Sequence, residues 1–108
     1  MRLVLISDTH NLHEKIVLPD GDILVHAGDL TGMGGPDELA RAAAWLARAA
    51  PRYRAVVLIA GNHDFGFQED PEASRALFKD LISLEDSGAE VAGLRFWGTP
   101  WTPRFYDW

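Results

Sequence analysis

Three apolar runs in the first sixty residues each stop at a small polar cluster, and the chain is organised around those endings. Residues 2–7 (Arg-Leu-Val-Leu-Ile-Ser) are almost continuously apolar rather than alternating, the pattern of a parallel-sheet strand covered on both faces. Asp22 to Ala27 repeats that pattern, as do residues 55–60. Between the second and third runs, Pro36 opens a helix, Asp37 and Glu38 suit the positive end of its dipole, and Pro51 stops it near Ala50. Leu39, Ala42, Ala43, Leu46, Ala47 and Ala50 recur at spacings of three and four, which predicts the face that packs on the sheet. Strand, helix and strand in this order form a right-handed βαβ unit.

Downstream, Asp70 is placed to cap a second helix that starts at Pro71, ends between Lys79 and Ile82, and packs through Ala73, Leu77 and Leu81. Ala89–Val91 and Leu94–Trp97, parted by Ala92-Gly93, predict a hairpin at the far edge of the sheet. The last stretch is rich in aromatic residues (Phe96, Trp97, Trp101, Phe105, Tyr106, Trp108), while Pro100 and Pro103 oppose regular structure. Surface of that kind is expected to fold back on the domain or to be covered by further polypeptide. The predicted class is α/β, with a parallel βαβ core and a short C-terminal hairpin in one domain spanning residues 1–108.

Composition narrows the partners. A 47% hydrophobic, 24% charged chain is that of an ordinary globular domain. Its net charge of −6 argues against nucleic-acid polymers, whose binding rests on Lys and Arg, but suits a site where bound cations dominate the local field. The absence of Cys removes disulfides and thiolate metal sites. The apolar run before Asp8 is too short for a secretory signal, and no run reaches membrane-span length, so a cytoplasmic protein without a membrane partner is expected.

The candidate chemistry sits at the strand endings: Asp8-Thr-His10, Gly28-Asp29 and Gly61-Asn62-His63-Asp64. Each is bland alone, since an Asp after Gly commonly serves a turn and a single His is commonly structural. In a parallel sheet, however, ligands bind beyond the carboxyl ends of the strands, where these residues converge. Two carboxylates, an amide and two imidazoles in one crevice make a candidate metal site. His26, inside the second run, reads as a hydrogen-bonded core residue and His13 as a loop residue. Met33 and the Gly32–Gly35 loop are placed to border the site.

Residues 6–13 (Ile-Ser-Asp-Thr-His-Asn-Leu-His), 22–33, 59–67 (Ile-Ala-Gly-Asn-His-Asp-Phe-Gly-Phe) and 98–108 together resemble the calcineurin-like metallophosphoesterases. Within that group they are similar to the metallophosphoesterase domain-containing proteins, through His26-Ala-Gly-Asp-Leu-Thr31. The resemblance implies the amino-terminal half of an α/β/β/α sandwich that hydrolyses a small phosphate mono- or diester, a nucleotide or cyclic nucleotide among the options. It also implies two divalent cations, with Asp8 and His10 on the first, Asp29 bridging both, Asn62 on the second, and His63 facing the substrate phosphate. Mixed oxygen and nitrogen ligands suit Mn, Fe, Ni or Zn without choosing among them. An imidazole at His63 can give the departing alkoxide a proton, and Asp64 either orients that imidazole or caps a loop amide.

The chain departs from the family pattern in one respect: the family carries further metal-binding histidines in a second half, and no His follows His63. Two expectations follow. Either a C-terminal segment completes a phosphoesterase, or the chain is a catalytically weak metal-binding or assembly module that joins a second chain, including a homo-oligomer.

Overall fold

The alternation hidden within the apolar runs decides the layering. The computed structural model describes residues 1–101; Phe105, Tyr106 and Trp108 of the aromatic stretch lie outside them. β1 (Leu3–Ile6), β2 (Ile23–His26), β3 (Ala55–Leu58) and β4 (Ile82–Ser83) form one parallel sheet in that order. Val4, Leu24 and Val56 stand level with one another and share a core with α1 (Pro36–Ala49). On the opposite face stand Leu5, Val25, Val57 and Ile82.

That second face is covered by the antiparallel hairpin of β5 (Ser87–Val91) and β6 (Leu94–Gly98). Ala92 and Gly93, both at positive φ, make its two-residue turn. Ala89, Val91 and Phe96 pack on the cluster of Ile23, Val57 and Leu84. The expected position at the sheet's far edge is thus corrected: the hairpin is a separate layer, and β4 occupies the edge. A two-residue strand is too short to show any periodicity in sequence. The layers run helix, sheet, sheet, the α/β arrangement expected of half of an α/β/β/α sandwich. Leu3 and Leu5 on the outer strand β1 remain exposed, so that strand is covered on one face only, contrary to its continuous apolar pattern.

α1 has the predicted start and stop, with Glu38 accepting the Gly35 N–H at 2.9 Å and a 3₁₀ turn at Ala50–Arg52 carrying Pro51. Its buried face is rotated from the predicted one: Trp45 and Ala49 are inside and Ala47 is outside, because alanine fits either environment. After β3, residues Gly66–Glu69 form the short helix α2. α3 (Pro71–Leu77) begins where predicted, capped by Asp70 on the Ala73 N–H at 3.3 Å. It ends earlier than predicted and packs through Ser74 rather than Ala73 and Leu77, with Phe78 just beyond it fully buried. Phe78 stacks on Phe67 with ring centroids 5.6 Å apart.

Candidate metal centre

Two glycines let the loops after β2 and β3 touch backbone to backbone. Gly28 has φ +102°, and a Cβ there would lie 2.8 Å from the Gly61 Cα. A Cβ on Gly61 would collide with the Asp29 amide and carboxylate. The Gly-Asp and Gly-Asn-His-Asp endings are therefore one interlocked structure, and any larger residue at Gly61 would push Asp29 out of place. His63 closes the lock by donating its backbone N–H to Asp29 Oδ1 at 2.8 Å.

Asp64 pins the same loops from beneath. Its buried carboxylate accepts from the N–H groups of Leu30 (3.1 Å), Thr31 (3.0 Å) and Gly61 (2.9 Å) and from the Thr31 hydroxyl (2.7 Å). Of the two roles open to it in sequence, the geometry gives it the capping one. The His63 ring is oriented otherwise, by Nδ1–H donation to the Gly32 carbonyl at 2.9 Å. His10 follows the same rule, with Nδ1 donating to the Thr31 carbonyl at 3.2 Å. Both imidazoles thus have Nδ1 held by a backbone oxygen, the arrangement that orients metal-ligating histidines, and leave Nε2 without a backbone partner. The rings stand edge to face with centroids 5.0 Å apart.

The ligand atoms of Asp8, His10 and Asp29 gather within 4.8 Å of one another. His10 Nε2 lies 3.5 Å from Asp8 Oδ1 and 3.9 Å from Asp29 Oδ2, too far for hydrogen bonds and comparable to the spacing of ligands around one cation. Asn62 completes the group. Its side-chain amide lies against Asp29 and donates to Oδ2 at 3.0 Å and Oδ1 at 3.3 Å. The donor set of two carboxylates and an imidazole fits a divalent cation.

Electrostatics at the centre are those of charge left uncompensated. Burial pushes the Asp29 carboxyl above the usual carboxylate range. The Ser7 hydroxyl, ahead of the neighbouring Asp29 and His10, holds the Asp8 carboxyl below it. Asp8, His10, Asn11 and Asp29 all have positive φ, at 55°, 43°, 68° and 57°, a backbone region where Asp, Asn and His are the least disfavoured of non-glycine residues.

Support from behind comes from residues whose roles sequence did not reveal. Gly28 N–H donates to His26 Nδ1 at 3.1 Å, so the ring proton sits on Nε2 and goes to the Thr9 hydroxyl at 3.0 Å; that hydroxyl in turn donates to the Leu30 carbonyl at 3.4 Å. Burial lowers the His26 pKa to about 4, which keeps this neutral tautomer. His26 is therefore the core residue expected, joining the loops after β1 and β2. His13 is not a loop residue: it is buried in a 3₁₀ turn (His13–Lys15), its ring 5.1 Å from that of Trp45, and burial lowers its pKa. Asn11 gives its amide to Glu38 Oε1 at 2.6 Å, tying the metal loop to the start of α1. The Asn11 amide and then the Gly35 N–H hold the Glu38 carboxyl below the usual range. Nothing short of the fold would have singled out Thr9, Asn11 or Thr31.

A family model described as calcineurin-like phosphoesterase matches residues 1–100. Metallophosphoesterase domain-containing protein 1 of Homo sapiens is 35% identical over 130 residues, covering 99% of this chain and 39% of the human protein, and its Mus musculus counterpart matches to the same extent. A probable rhamnogalacturonate lyase C of Emericella nidulans is 41% identical over 115 residues, covering 96% of this chain but 11% of that protein. The chain thus spans well under half the length of the curated relatives it matches.

Proposed function

Because the chain belongs to the calcineurin-like phosphoesterase family, we propose that its centre serves metal-dependent hydrolysis of small phosphate mono- or diesters, nucleotides or cyclic nucleotides among them. The observation that carries this reading is the convergence of ligand atoms of Asp8, His10 and Asp29 within 4.8 Å of one another, with the Asn62 side chain against Asp29. Asp8 and His10 would hold one divalent cation, Asn62 a second, and Asp29 both, the ions being Mn, Fe, Ni or Zn. Such cations, when bound, polarise phosphoryl oxygens and make water acidic enough to attack near neutral pH.

The protein's own part is positional. His10 is aimed by the Thr31 carbonyl, and Asp29 is held in place by the His63 N–H. His63, anchored through Nδ1 to Gly32, has Nε2 available to carry a proton to the departing alkoxide or to pair with a phosphoryl oxygen. Asp64 fixes the loops and handles no proton.

The two cation positions are unequal, with three ligands for one (Asp8, His10, Asp29) and two for the other (Asp29, Asn62). The 108-residue chain should therefore bind one Mn²⁺ tightly and hydrolyse an aryl phosphate slowly, full turnover requiring ligands from further polypeptide or a second copy. Calorimetric titration with Mn²⁺ and a phosphate-release assay test this together. Asp29→Asn should lose both binding and turnover, whereas His63→Ala should lose turnover and keep the metal. Equal metal loss in the two variants would refute the division of roles.

A further inference from the structure

Beside the metal centre, and sharing the Gly61–Asp64 loop with it, a cavity of about 760 Å³ runs beneath α2 and α3 towards Trp101. Its size is that of a small-molecule site. Asp8, His10 and Asp29 do not line it, so a phosphate ester held at the centre would put its phosphorus end at Asn62 and His63 and its remaining body inside.

The walls state what that body would be. Phe65 and Trp101 both line the cavity and are 41% and 69% exposed, whereas Phe67 forms a floor stacked on buried Phe78. An indole left that exposed contributes little to the core, yet it is held firmly. Asp86 accepts its Nε1–H at 2.7 Å through Oδ2 and the Thr99 hydroxyl at 2.7 Å through Oδ1, and the Trp101 N–H donates back to that hydroxyl at 3.3 Å. Asp86 itself sits at φ 49°, beyond the end of β4. The ion pair on the wall, Arg75 with Glu85, is internally compensated, so the cavity offers no spare charge there for an ionic group.

We propose that this cavity receives the leaving group of the ester and selects one bearing a planar, uncharged aromatic ring, with Trp101 as the recognition surface and Asp86 as the residue that positions it. The proposal rests on the phosphoesterase reading and deepens it. Aromatic stacking on a fixed indole, together with the area buried, is enough to favour an aryl over a methyl group about tenfold or more. Asp86 touches no substrate; its effect passes through the indole.

The test uses the 108-residue chain saturated with Mn²⁺ and two non-hydrolysable probes, 1-naphthylphosphonate and methylphosphonate, with affinities read by calorimetry. The parent chain should prefer the naphthyl probe by about tenfold or more. Trp101→Ala should cut that ratio to about threefold or less, Trp101→Phe should restore part of it, and Asp86→Ala should fall between parent and Trp101→Ala. A purely structural role for Asp86 would shift both probes alike and leave the ratio intact. Equal affinities for the two probes in the Mn²⁺-loaded parent, no naphthylphosphonate binding, or a ratio that survives Trp101→Ala would overturn the cavity assignment and leave the metal centre standing. Failure of the parent to bind Mn²⁺ at all would remove both.

Discussion

The two ends of the four-stranded sheet carry the same kinds of side chain and use them in opposite ways. At the amino end, Asp22 accepts the Arg2 N–H at 2.7 Å, Arg52 reaches Asp20 at 3.0 Å and Arg54 lies 3.9 Å from Asp22, all near the surface. At the carboxyl end, Asp29, Asp64 and His26 are buried, and none has a Lys or Arg ion-pair partner among the described residues. Asp64 is satisfied by hydrogen-bond donors alone, whereas Asp8 and Asp29 are left facing each other and one imidazole. Structural carboxylates such as Asp64 and Asp20 are met by hydrogen-bond donors or an arginine. Asp8 and Asp29, the proposed cation ligands, face each other without a Lys or Arg among the described residues.

Mutations at the two ends should separate by size. The largest effect is expected for Asp29→Asn, which removes a charge from both proposed cation positions and should lower hydrolysis by about 10³-fold or more, about 4 kcal/mol of barrier, with the fold retained. Phosphate release together with the far-ultraviolet circular dichroism spectrum would show it. Next comes Asp64→Ala, which strands four donors in a buried loop and should cost roughly 3–5 kcal/mol in urea unfolding. A stable variant with only its turnover impaired would mean that Asp64 acts on His63 after all, and the contrast between buried clamp and open ligand would collapse.

Acid should then single out His26. Its folded pKa of about 4 lies below the ordinary imidazole value of 6.5, so the unfolded chain takes up a proton first as pH falls. The stability tied to the neutral ring is complete above the unfolded value and is lost between about pH 6.5 and 4, to a total of roughly 3 kcal/mol. Urea midpoints across that window should fall less steeply in His26→Gln than in the parent. Smallest of all, Arg52→Ala at the amino end should change stability by about 1 kcal/mol or less, because its ion pair with Asp20 is largely solvated. A loss as large as that of Asp64→Ala would erase the distinction between the two ends.

Much of this was legible in the chain. Three parallel strands, each closed by a glycine or a left-handed Asp, follow from local pattern, and local pattern carries Asp8, His10, Asp29, Asn62 and His63 to one end. What the sequence withheld depends on distance or on a neighbour's shape. β4 has only Ile82 and Ser83, so its membership of the sheet comes from pairing with Val57 and Leu58 rather than from its own pattern. The hairpin's alternation gives its turn and its register but not the surface it lies upon. Ala47 and Ala49 are chemically identical, and only the bulk of Trp45 fixes which way α1 faces. The clamp role of Asp64 became visible only once Leu30, Thr31 and Gly61 stood around it.

The left-handed backbone at Asp8 and Asp29 bears on the chain's history. At each, glycine would relieve a conformation that costs other residues about 1–2 kcal/mol, and a single base change turns an aspartate codon into a glycine codon. Drift filtered for stability alone would find that relief within reach at both positions. Aspartate at both positions therefore holds its carboxylate in place at a conformational cost that glycine would avoid.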